Sequence, residues 1–164
     1  MPIISTDIQY RLSGGAANAS AAASLGGIKS SNAIPTALLD DTTGAESLAG
    51  DIEYRCFYAH NNHGTLTLQN AVAWLQTQAL GAGHAIAIGV GSSAVNGIEQ
   101  TITTEDTPPV GITFTSPTTQ GAGIALGSIP AGQHRAVWIR RTVTAASGAS
   151  ANSYTLRVLG DTAA

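Results

Sequence analysis

From Asp51 onward, apolar residues recur at every second position in short runs. Ile52, Tyr54, Cys56 and Tyr58 fall on one face of one run, and Ile86, Ile88 and Val90 on one face of another. Successive side chains of an extended backbone point to opposite sides, so this period belongs to strands with one covered face. A helix needs apolar residues three and four apart, and no long segment provides them. Asn62-His63-Gly64, the loop from Glu105 to Gly111 with its two prolines, and Pro130-Ala131-Gly132 interrupt the runs as turns. Many short β-branched runs separated by such turns indicate an all-β, antiparallel sandwich or barrel. The expected fold is an antiparallel β-sandwich, jelly-roll or immunoglobulin-like, with an extended N-terminal arm.

The remaining runs refine that expectation. Asp7 to Leu12 reads as a first strand, and Leu66, Leu68, Val72 and Trp74 lie in phase, which makes Trp74 a core residue. Ile98 and Ile102 mark a weaker strand, followed by Ile112 with Phe114 and Ile124 with Leu126. Val137, Ile139 and Arg141 share a face, with Trp138 on the opposite one beside Arg140. Tyr154, Leu156 and Val158 form the last strand. Ala45 to Ala49 forms one helical turn that Gly50 ends.

Residues 1–50 read as a first strand plus an arm, and 51–164 as the sandwich, within one domain overall. The arm is the stretch from Ser13 to Asn32, rich in Gly, Ala, Ser and Asn. With so little apolar mass it has no core of its own, and the expectation is an extended segment ordered against a partner. Ser13, Gly14, Gly15, Asn18 and Lys29 are its candidate interface residues. Trp138 and Arg140 join them, because Trp and Arg are enriched where interfaces are strongest.

Charge sets the class of partner. Asp, Glu, Lys and Arg make up 10% of the chain and Lys29 is the one lysine, against roughly 25% charged residues in an average domain. Such a surface is cheap to bury, since few ions lose their water when a partner docks. The net charge is −3 and the basic residues form no run, so a nucleic-acid footprint is absent. No stretch reaches the ~18 apolar residues of a membrane span. The N-terminus lacks a basic region followed by a long apolar run, so synthesis in the cytosol is expected. Cys56 is the only cysteine and sits in a strand, where a buried thiol is expected.

Motifs that carry chemistry are weak. His60 and His63 occur as HNNH, and a metal would need further ligands from His84, His134 or an Asp. Asp40-Asp41 and Glu105-Asp106 lie in turn-rich loops without the spaced oxygens of a calcium site. Gly-Val-Gly-Ser-Ser at 89–93 evokes a phosphate loop but lacks the lysine and the following helix. No G-x-S-x-G elbow occurs. No catalytic, cofactor-binding or metal residues are assigned, and a non-enzyme is expected.

The stretch LLDDTTGAESLAGDIEYRCFYAHNNHGTLTLQNAVAWLQTQ resembles structural proteins of tailed-bacteriophage particles. So do DIQYRLSGGAANAS and ASLGG near the start, VNGIEQTI in the middle and IPAGQHRAVWIRRTV near the end. The resemblance implies a virion component made in the bacterial cytoplasm, and implies no catalytic residues. A weakly charged sandwich with an arm fits a cement or decoration protein on the capsid exterior. Its partner would be the major capsid protein, and it would itself be a homo-oligomer, dimer or trimer, without nucleic acid or membrane. A tail or baseplate component, or a surface glycan-binding module, are the alternatives.

Overall fold

Period-two alternation becomes strand over most of the chain after Asp51 in the computed structural model, which describes residues 2–148 and 150–162. The strands are β1 (Ile8–Leu12), β2 (Gly26–Gly27), β3 (Asp51–Asn61), β4 (Leu68–Ala79), β5 (His84–Val90), β6 (Glu99–Thr101), β7 (Ile124–Ile129), β8 (His134–Val143) and β9 (Ser153–Thr162). They form a four-stranded sheet in the order β1-β3-β8-β5, a three-stranded sheet β7-β4-β9 and a ribbon β2-β6. Every pairing is antiparallel. The fold is therefore all-β, as the alternation predicts.

One helix of the expected place and length interrupts the strands. α1 (Gly44–Ala49) starts at Thr43, whose hydroxyl accepts from the Glu46 N–H while the Glu46 carboxylate accepts from the Thr43 N–H. This reciprocal box satisfies two backbone donors that a helix start otherwise leaves open. Gly50 closes it at φ +83°, a conformation that favours glycine.

The main apolar cluster draws on both larger sheets. Leu12, Phe57, Ile86, Ile88, Val137 and Ile139 come from one; Leu68, Ala71, Ala73, Leu75, Leu126, Ile129 and Val158 come from the other. Val137 and Ile139 thus share a face as expected, with Trp138 opposite. Trp138 belongs to a second cluster with Tyr54, Cys56, Tyr58, Ala136 and Ile102 on the far side of the four-stranded sheet. Both faces of β3 are therefore covered. Cys56 is fully buried there, and burial pushes its thiol pKa up.

Two expectations fail for identifiable reasons. In β4 the phase Leu68, Val72, Trp74 does not hold, because Leu68 is followed in the main cluster by Ala71, Ala73 and Leu75. A bulge between Leu68 and Ala71 shifts the register, and Asn70 sits within it at φ +49°. One extra residue exchanges the two faces of everything that follows. Trp74 is buried all the same, but on the face away from that series.

The arm is the second correction. Residues 13–32 fold back on their own sheet rather than extending toward a partner. The Ser30 and Ile34 N–H groups donate to Leu12 and Tyr10, and the Leu12 N–H donates to Asn32, so this segment lines the open edge of β1. The Cys56 N–H donates to Ser24 where β3 runs beyond β1. Composition misled because order here comes from hydrogen bonds, not from apolar mass. Ser13, Ser24 and Ser30 are all 0% exposed, and each bonds a carbonyl elsewhere in the segment or on β3.

Candidate interaction surface

The sequence-derived interface residues do not share one surface. Ser13 Oγ donates to Cys56 at 2.8 Å and accepts from the Gly26 N–H at 3.1 Å. Gly14 lies at φ +91°, and a Cβ there would stand 2.1 Å from the Ala23 carbonyl oxygen. The Asn18 amide donates to Ser13 at 2.6 Å and Ser20 at 2.9 Å, and its carbonyl accepts from the Ser20 N–H. These residues tie the loop together, and Gly15 donates its N–H to Ile28 within the same loop. Trp138 is 0% exposed and so cannot meet a partner. Half-buried Arg140 lies over the Phe114 ring at 5.2 Å, a cation–π contact inside the chain. Lys29, also half-buried, meets no carboxylate within ion-pair distance among the described residues.

The groups that suggested chemistry are engaged with one another. The 89–93 glycine-serine loop does cradle an anion, but the anion is Glu99. Its carboxylate accepts from the Ser92 N–H and Oγ at 3.2 and 2.8 Å and from the Ser93 N–H and Oγ at 2.9 and 2.8 Å. A Cβ on Gly91 would stand 2.3 Å from the Glu99 carboxylate, so glycine makes room for it. Burial alone would raise the Glu99 pKa, yet these donors bring it below the usual carboxylate value. His63 is a turn residue, its Nδ1 accepting from the Thr65 and Leu66 N–H groups at 3.1 and 3.0 Å. His84 lies beside Asn152, its Nδ1 3.0 Å from the amide. His60 and His134 face each other across β3 and β8.

A buried charge network sits at the opposite end of β3. Glu53 and Arg55 are each about 1% exposed. Glu53 meets Arg55 at 2.8 Å and Arg141 at 2.6 Å; Arg141 continues to Asp40 at 2.9 Å and Arg55 to Glu105. Asp40, Glu53 and Glu105 lie close enough to share a cation, but the two guanidinium groups supply that charge. Burial outweighs both arginines at Glu53 and pushes its pKa up to about 7. The network fixes the 38–41 segment and the 105 loop to the sheet.

An open cleft of about 620 Å³ lies between the start of β9 and the segment 33–38 beside β1. Tyr10, Ile34, Leu38, Phe57, Tyr154 and Leu156 give it an apolar lining. β9 is the outer strand of its sheet. On its free side the Val158 N–H donates to the Tyr10 hydroxyl at 3.0 Å. Alternate residues of a strand offer their backbone to the same side, so Tyr154, Leu156 and Gly160 present theirs there too. Among the described residues no strand pairs with that side. The sequence showed Tyr154, Leu156 and Val158 as a strand, but not that it ends a sheet, since strand order depends on contacts distant along the chain. Searches against family models, curated proteins and solved structures return no match to this chain.

Proposed function

We propose that this protein is a non-enzymatic structural component of a tailed-bacteriophage particle. In this reading it is a capsid cement protein that clamps neighbouring major capsid protein subunits from outside the shell. The two larger sheets, sharing one core, act as the halves of a β-sandwich. The observation that carries the clamp is the apolar cleft beside the free edge of β9. An extended segment of a capsid subunit adds to that edge by backbone hydrogen bonds and seats alternate apolar side chains in the cleft. The phage-like stretches of sequence and the low charge support the setting. A weakly charged surface loses little on burial, and repetition over a shell multiplies a modest contact.

The mechanism asks nothing of residues 13–32 beyond holding the sheet. Binding belongs to the cleft, so Leu156→Asp, and Thr36→Asp on the exposed rim, weaken shell binding by about tenfold or more each. Co-sedimentation of purified variants with shells lacking the protein measures this, with thermal melts confirming that both variants fold. Wild-type levels of binding by folded variants overturn the clamp. If the protein instead occupies the tail, its copy number per particle matches the tail's small rotational symmetry rather than the shell's.

A further inference from the structure

The large apolar side chains left exposed among the described residues are Ile4, Ile28, Leu48, Ile52, Ile98 and Val110. Two pairs of them stand at opposite ends of β3. Ile28 and Ile98 come one step beyond the Gly27–Glu99 pairing of the β2-β6 ribbon. That ribbon lies over the His60 end, because the Tyr58 hydroxyl bonds Gly27 and receives the Glu99 N–H. Leu48, in the last turn of α1, and Ile52, at the start of β3, flank Gly50 at the other end. From Ile52 to His60 is roughly 27 Å at 3.4 Å per residue.

The charges around the two pairs are opposite. Arg11, Lys29, His60 and His134 gather by Ile28 and Ile98. His60 and His134 are held below the ordinary imidazole pKa by burial and then by Lys29, with Arg11 also acting on His60. Among the described residues no carboxylate comes within ion-pair distance of these four. Nearby Asp7 is turned to the Ile4 N–H at 2.9 Å, and Glu99 is buried on its serines. At the Leu48–Ile52 end stand Glu46 and Asp51, with Asp40 and Glu105 beside them already paired to Arg141 and Arg55. Asp51 has its pKa raised by burial and then by Glu46. The cations there are engaged within the chain: Arg55 and Arg141 on Glu53, and Arg140 on Phe114.

We propose that the Ile28–Ile98 end of one molecule docks on the Leu48–Ile52 end of a second copy, head to tail. Apolar pair meets apolar pair, and Lys29 meets Glu46 and Asp51; the Arg11 guanidinium is held within the chain on Ser31 and Gln9. The two patches differ, so the interface is heterologous, and repeating it produces a ring or an open row of molecules. This does not rest on the shell reading. Lys29, Ile98, Glu46 and Leu48 do not line the β9 cleft, so the two proposals fail separately.

Sedimentation velocity on the purified full chain tests it. The wild type shows concentration-dependent association that weakens as salt screens the charges. Lys29→Gln/Ile98→Ser and Glu46→Gln/Leu48→Ser each raise the self-dissociation constant at least about tenfold. Mixing the two variants restores a one-to-one dimer and nothing larger, since each retains the end the other lost. That rescue also demonstrates that both variants fold. A wild type that stays monomeric at low salt overturns the proposal. So does either variant associating like the wild type, or a mixture of folded variants that stays monomeric.

Discussion

At the scale of single residues, the polar groups with unusual surroundings serve the fold. Glu99 is the clearest case, since four serine donors hold a buried carboxylate. Glu99→Ala strands those donors and is expected to cost about 1–3 kcal/mol in denaturant unfolding. Trp138→Ala empties the centre of the second apolar cluster and is expected to cost about 3–5 kcal/mol. His134 gives a pH signature. Its pKa is lowered by burial, then by Lys29, from 6.5 to about 4. Between those values the unfolded chain binds the proton more readily, so acidification through that window destabilises the fold. Glu53 acts the other way, because its raised pKa of about 7 favours the folded state when protonated, and that stability is lost as pH rises from 4.5 to 7. Thermal melts across pH 4 to 7 should therefore show His134→Gln losing the acid sensitivity of the wild type in the 6.5 to 4 window. The sequence revealed the glycine-serine loop but not its occupant. Glu99 lies in a weak strand, and only the chain reversal after Ser93 brings it back onto the loop.

At the scale of elements, alternation was legible wherever a strand ran without interruption. β3, β5 and β8 kept the predicted phase because their ladders carry no bulge. β4 did not, since a single residue at a bulge inverts every later side chain and leaves no compositional mark except an asparagine that tolerates positive φ. Asn70→Gly should therefore be nearly neutral, and Asn70→Val should cost about 1–2 kcal/mol in unfolding experiments. The order of segment 13–32 is hidden from composition for a related reason. Low apolar content signals an absent core, but buried serine and asparagine side chains order a loop without one. Deleting 13–32 should abolish cooperative unfolding, because it bares the edge of β1 and the Tyr58–Trp138 cluster. A deletion variant that still melts cooperatively would show this segment to be a separable arm after all.

At the scale of the whole molecule, two features bear on assembly, and neither was visible in the string of residues. One is the pairing of an apolar cleft with the unpaired side of β9. The other is the division of charge along β3, with Lys29, His60 and His134 free of carboxylates among the described residues at one end, and at the other more carboxylates than the arginines paired with them there. A net charge of −3 conceals that division, because it sums over ends that topology places far apart. The scarcity of charge now has a more specific meaning. Several of the few ions present are buried in pairs around Glu53, and others gather toward the two ends of β3. Adding the purified protein to shells that lack it, and imaging them, tests the clamp most directly. Saturable decoration of the exterior is expected, at positions repeating with the shell's own symmetry, with β9 against a capsid segment and no binding to free capsid subunits. Bare shells in the presence of folded protein would contradict it.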